Sequence, residues 1–129
     1  MIMVSEKIAR KTLKLYGEAW VNQDTEKILS IFTKDATYQE SIFKKPFRGR
    51  NGIMKYWQSK VVQEQSDIRF KLLKYYICGN TVVAEWKASF KSNKEKAKFD
   101  LREVAILEFS GNKIKSLREY WQHKKYKLR

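Results

Sequence analysis

The chain has 129 residues, of which 43% are hydrophobic, 14% aromatic and 33% charged. That is enough apolar material for one domain with a real core, and it excludes a disordered tail protein. With 5 Gly and 1 Pro, collagen-like and Pro/Gly-rich classes are also out. Lys and Arg number 28 against 14 Asp and Glu, a formal net charge of +14. The single cysteine, Cys78, excludes an internal disulfide and a C-x-x-C metal knuckle. The N-terminal segment lacks a basic region followed by an apolar stretch, and no apolar run approaches the ~18 residues of a membrane span. The expectation is a cytoplasmic protein that does not enter a membrane.

The first third reads as helical. Ser5 is placed to cap a first helix, with Glu6 in its first turn, where a carboxylate suits the helix dipole. Ile8, Thr12, Leu15, Tyr16 and Ala19 fall on one face, followed by Trp20. Residues 21–24 break the pattern, and Asp24 can cap a short second helix carrying Ile28, Leu29 and Phe32. From Asp35 the period changes, and residues 36–41 read as a strand. A loop with Pro46 and Gly49 follows. Asn51 can cap a third helix, on which Ile53, Trp57 and Val61 recur every four residues.

The second half reads as strands joined by hairpins. Ile68, Phe70 and Leu72 alternate, then Leu73, Tyr75 and Ile77 alternate on the opposite parity, the mark of a β-bulge. Cys78-Gly79-Asn80 is a turn, and a strand runs from Thr81 to Phe90. Residues 91–98 form a charged hairpin loop, and a long strand covers Phe99–Phe109. A tight turn at 110–113 leads to a strand from Ile114 to Trp121. The basic tail from His123 onward is expected to fray. No repeat or linker composition interrupts the chain, so residues 1–129 form a single domain. Segregated helices and antiparallel strands give an α+β class.

Four segments, in order, carry a resemblance: Tyr16-x3-Trp20-x3-Asp24; Ile31-Phe32-x2-Asp35-Ala36-x-Tyr38; Phe47-Arg48-Gly49-x2-Gly52-Ile53; and Leu117-Arg118-Glu119-Tyr120-Trp121. On these the chain resembles the nuclear transport factor 2-like superfamily, and within it the SnoaL-like group. The resemblance implies a cone-shaped barrel in which three N-terminal helices pack on a strongly bent, mostly antiparallel sheet. It also implies homodimerisation through the outer sheet face, where Val83, Val104, Ile106 and Tyr120 would otherwise leave an apolar patch exposed.

Strand parity assigns the inner face. It places Ala84, Trp86, Ala88 and Phe90 inward, then Leu101, Glu103, Ala105 and Leu107, then Leu117, Glu119 and Trp121, with Tyr38 and Glu40 together on the first strand. The resemblance to ketosteroid-isomerase-like members makes Glu40 the candidate general base and Tyr16 the candidate oxyanion donor. An aromatic pocket raises a carboxylate's pKa toward the range useful for proton transfer. Trp20, Tyr38, Trp57, Trp86, Phe90, Glu103, Glu119 and Trp121 are the candidate ligand-binding residues. Three glutamates among aromatics suit a cationic or hydrogen-bonding ligand.

The departures narrow the chemistry. Ala105 stands where those isomerases carry a protonated aspartate. Asp100 and Arg102 lie on the face opposite Glu103, which breaks the Asp-Arg-Asp pattern of epoxide hydrolases. The only histidine, His123, falls in the tail, so no dehydratase histidine pair and no Ser-His-Asp set can be built. No metal-ligand spacing or phosphate loop is present, and no cofactor is expected. The reading is a small-molecule-binding protein for a hydrophobic or aromatic ligand, with cofactor-independent isomerase, dehydratase or cyclase chemistry open to it. The alternative is a non-catalytic homodimerisation or binding module with a filled cavity. An open cavity of ~300 Å³ or more favours the first. Nucleic-acid association is the third reading, and the dispersion of the lysines argues against it.

Overall fold

The structure, a computed structural model, describes residues 3–128. Helix α1 (Glu6–Val21) begins where Ser5 Oγ accepts the backbone N–H of Ile8. Helix α2 (Thr25–Ser30) begins where Asp24 Oδ1 accepts the N–H of Lys27. Helix α3 (Gly49–Tyr56) runs directly into a π-helical turn, Trp57–Val62. Six strands follow the same numbering: β1 (Phe32–Gln39), β2 (Phe47–Arg48), β3 (Gln65–Cys78), β4 (Thr81–Ser92), β5 (Ala97–Ser110) and β6 (Lys113–Lys127). They form one sheet in the order β2-β1-β6-β5-β4-β3. Only β1 and β6 run parallel, which makes the sheet mixed and mostly antiparallel, and it does not close. Three helices on such a sheet match the expected architecture. No described helix is long and apolar enough to cross a membrane.

Register shifts bend the sheet at Leu72/Lys74, where the sequence parity reverses, and again at Glu108/Phe109. Helix α1 lies along β3 and covers the concave face. Its buried side is Ala9, Thr12, Leu13, Tyr16, Ala19 and Trp20. Leu13 therefore takes the inward place expected of Leu15, which is half-buried. The contact with β3 is close at Gly17, where a Cβ would lie 2.5 Å from Phe70 Cδ1. The Phe70 ring is itself held against Tyr16, Trp20 and Trp86. Gly17→Ala is expected to destabilise the fold by about 1–2 kcal/mol, because overpacking outweighs the better helix propensity of alanine. Chemical denaturation measures it.

Several boundaries differ from the sequence reading. Phe32 opens β1 instead of closing α2, because Ile31 already ends the helix. The third helix is capped at Arg48, not Asn51, and the preceding loop contributes the short β2. The tail does not fray but continues β6, pairing from Gln122 opposite Arg102 to Lys127 opposite Ala97. Lys125 holds it there, reaching Glu95 at 2.7 Å and lying over the Phe99 ring.

The outer face of the sheet carries Val83, Val104, Ile106 and Tyr120 as expected, with Val104 opposite Tyr120 and Val83 opposite Ile106. Beside them, Lys71, Lys87 and Arg102 stand directly opposite one another on three adjacent strands.

Candidate functional site

Under the bend, the inner face and the helices enclose a cavity of about 390 Å³ that opens beside the exposed Lys44, Lys60 and His123. Cross-strand register explains its floor. Trp86, Glu103 and Trp121 form one row across β4, β5 and β6, and Ala84, Ala105 and Glu119 form the next. The two alanines leave room beside Glu119 that larger side chains would fill. Glu103 and Glu119 therefore sit on a diagonal between neighbouring strands, close enough for their side chains to interact.

Both glutamates are almost fully buried, at 4% and 5% exposure. Glu119 Oε1 accepts the Tyr16 hydroxyl at 2.9 Å and also accepts the Tyr38 hydroxyl. The two phenol oxygens are 3.0 Å apart. Tyr56 stacks on Phe47 and packs against Tyr38, which brings a third phenol to the group. Burial raises the Glu119 carboxyl to about 7, against the pull of hydrogen bonds from Tyr38 and Tyr16. Burial first, and then the neighbouring Glu119 charge, push Glu103 well above the usual carboxylate range. Two like carboxyls side by side cannot both ionise cheaply, so the pair retains a proton. The two phenols that donate to Glu119 favour its ionised form, which leaves the retained proton on Glu103. The phenols of Tyr16, Tyr38 and Tyr56 are each raised well above their usual range, first by burial and next by the Glu119 charge. All three stay protonated and serve as donors.

Two buried donors and one acceptor lack a hydrogen-bond partner among the described residues: Trp57 Nε1, Trp86 Nε1 and Glu103 Oε2. The Trp86 indole lies near enough to Glu103 to favour its ionised form slightly, against the larger effect of burial, without meeting hydrogen-bond geometry.

The helical side of the cavity is fixed by one residue. Gln23 ends α1 in the left-handed region, at φ 54°. Its side-chain amide donates to the carbonyls of Val61, at 2.8 Å, and Gln65, at 2.7 Å. Trp20 Nε1 donates to Gln65 Oε1 at 2.8 Å. These bonds hold the π-helical turn, whose wider winding lets Trp57 and Val61 both point inward.

Of the candidates read from sequence, Tyr16, Trp20, Tyr38, Glu40, Trp57, Phe90, Glu103, Glu119 and Trp121 all line this cavity. Trp86 does not. It is fully buried behind the wall, 4.9 Å from the Tyr16 ring. Glu40 lies at the rim, outside the hydrogen-bonded group. β1 ends at Gln39, and the Glu40 carbonyl accepts the Trp121 indole N–H at 2.7 Å. His123 stacks on Trp121 at the mouth, so the tail histidine is part of the site. Tyr56 and Gln65 were missed. Tyr56 lies three residues beyond Ile53 on the buried face of α3, a spacing that could have found it.

A family model described as the SnoaL-like domain matches residues 13–117. No curated protein matches the chain. Among solved structures, the chain is similar to a hypothetical protein with a ketosteroid isomerase-like fold from Catenulispora acidiphila, solved in complex with trimethylamine. The identity is 19%, over 91% of this chain and 86% of that one, with a TM-score of 0.76. It is similar to the epoxide hydrolase/cyclase-like enzyme SalBIII of salinomycin pyran-ring formation, at 19% identity over 92% and 93% of the chains and a TM-score of 0.78. It is also similar to a candidate isomerase from Bacillus subtilis, at 16% identity over 90% and 87% and a TM-score of 0.78. At such identities the likeness is one of fold.

Proposed function

This chain belongs to the SnoaL-like domain family, and on that premise we propose that its cavity binds a small molecule and moves a proton on it. In this reading Glu119 is the base and Glu103 the acid. The observation that carries it is the buried Glu119–Glu103 pair at the floor of an open cavity of about 390 Å³. A purely structural core would place apolar side chains there, since an ionisable pair in that position costs stability. The volume exceeds the ~300 Å³ at which a ligand site becomes the default reading.

The assignment differs from the sequence expectation in one role. Glu40 is at the rim, whereas Glu119 is held by two phenols and poised near neutral pH, so the base role passes to Glu119. Tyr16 and Tyr38 hold that carboxylate in place, and Tyr56 offers a neutral donor to charge developing on a bound molecule. Trp57 and Trp121 supply walls. The reaction class is cofactor-independent proton transfer, as in an isomerisation, dehydration or cyclisation. Likeness of fold to an epoxide hydrolase/cyclase-like enzyme and to a candidate isomerase is compatible with that class.

The test incubates small carbonyl and iminium compounds bearing acidic C–H bonds with the protein in D2O and follows loss of the proton signal by NMR. Exchange by wild type that vanishes in the Glu103→Gln/Glu119→Gln double variant supports the reading. Exchange of equal rate in the double variant overturns it.

A further inference from the structure

The protein carries a net charge of +14, yet its cavity is acidic. Five of the chain's 14 carboxylates line it, at Glu40, Glu64, Glu95, Glu103 and Glu119, against Lys44 and Lys60 from 28 Lys and Arg. Surface ion pairs account for two of the five. Glu64 meets Lys60 at 3.6 Å and Glu95 meets Lys125 at 2.7 Å. No described Lys or Arg forms an ion pair with Glu40, Glu103 or Glu119. The sequence thus has cations in excess everywhere except where the buried carboxyls are.

A second observation points the same way. Glu103 lines the cavity, and its Oε2 is buried without a hydrogen-bond partner among the described residues. Aromatic side chains of Tyr16, Tyr38, Tyr56, Trp57 and Trp121 line the same cavity. A ring face attracts a cation, and more strongly when the cation is desolvated. An anion would meet the charge of the carboxylates. A positive group would meet both the ring faces and the missing counter-charge.

We propose that the ligand is an alkylammonium cation, a protonated or quaternary amine whose positive end sits among the aromatic walls against the Glu103–Glu119 pair. This rests on the small-molecule reading above and gives that site its ligand class. The cation takes the place of the proton that the carboxyl pair otherwise holds. Binding therefore releases a proton and tightens as pH rises through about 7, where Glu119 ionises. Facing that carboxylate are Tyr16 from α1, Tyr38 and Glu40 from β1 and its end, Tyr56 from α3, and Glu103 from β5. Lys44, Lys60 and His123 stand at the mouth.

The experiment uses three probes of nearly one shape and different charge: choline, the neutral 3,3-dimethylbutan-1-ol, and 3,3-dimethylbutanoate. Calorimetric titration of the full chain is expected to show choline binding about tenfold or more tighter than the alcohol, with the carboxylate weakest. Choline keeps its charge at every pH, so its pH dependence belongs to the protein. Affinity is expected to rise roughly thirtyfold from pH 5.5 to 8.5. Glu119→Gln is expected to abolish that rise. His123 stands at the mouth of the cavity, so His123→Gln is run alongside and is expected to keep most of the rise. Trp121→Ala, at a half-exposed rim position, is expected to weaken choline while leaving the fold intact.

Equal or tighter binding of the alcohol or the carboxylate overturns the cation assignment and leaves the proton-transfer reading standing. A pH-independent choline affinity, or no choline binding at all, also overturns it. The proton-transfer reading falls separately, on the exchange assay.

Discussion

Glu119→Gln is expected to lower the rate of proton transfer in the cavity by roughly 10²- to 10⁴-fold, the usual contribution of a positioned general base. The amide keeps the shape of the side chain and still accepts the Tyr16 and Tyr38 hydroxyls, so the loss falls on turnover and not on binding of a neutral substrate. The wild-type rate should rise about tenfold per pH unit at acid pH and level off above about 7, because only the ionised carboxylate can take a proton. Glu40→Gln is the control. From the rim it contributes charge, not contact, and its effect should stay below about tenfold. Steady-state kinetics across pH, on whichever compound shows exchange, reads all three variables.

The same substitution is expected to stabilise the folded protein at alkaline pH. A carboxyl raised from the ordinary 4.5 to about 7 binds its proton more tightly in the folded chain than in the unfolded one. Stability from that group is fully present below about 4.5 and is lost as pH rises through about 7. Between pH 5.5 and 8.5 the loss from Glu119 alone is about 2 kcal/mol, or roughly 6 °C in Tm for a chain of this size. Glu103, raised for the same reason, adds in the same direction. Wild type should therefore melt lower at pH 8.5 than at pH 5.5 relative to the Glu103→Gln/Glu119→Gln variant, and Glu119→Gln alone should recover part of the difference. A variant that gains stability while losing turnover marks a site kept for function at the expense of the fold.

The sheet was legible in the sequence because alternation is a strong signal where one face is buried. Trp86, Glu103 and Glu119 were placed inward by parity, and the reversal after Leu72 was read as the bulge that bends β3. Glu40 lines the cavity as parity has it, but β1 stops one residue earlier and leaves it at the rim. Lysine-rich composition suggested a loose tail. Pairing with β5, Glu95 and the Phe99 ring, all distant in sequence, holds it as strand. Parity put Glu103 and Glu119 on one face but could not show that they share a proton. That depends on the diagonal between β5 and β6, on the two alanines beside Glu119, and on phenols contributed by α1 and β1. Trp57 was found by its four-residue spacing from Ile53 and Val61, whereas Tyr56, off that stripe, was not.

The account turns on the protonation of one buried carboxyl. Carbon-13 NMR of protein labelled at the glutamate side-chain carboxyls, titrated from pH 4 to 9 and assigned with the Glu119→Gln and Glu103→Gln variants, measures it directly. The predicted result is a Glu119 midpoint near 7 with Glu103 titrating well above the ordinary carboxylate range. Both resonances titrating together in the ordinary carboxylate range, near 4 to 5, would contradict the proton-sharing pair and the chemistry built on it.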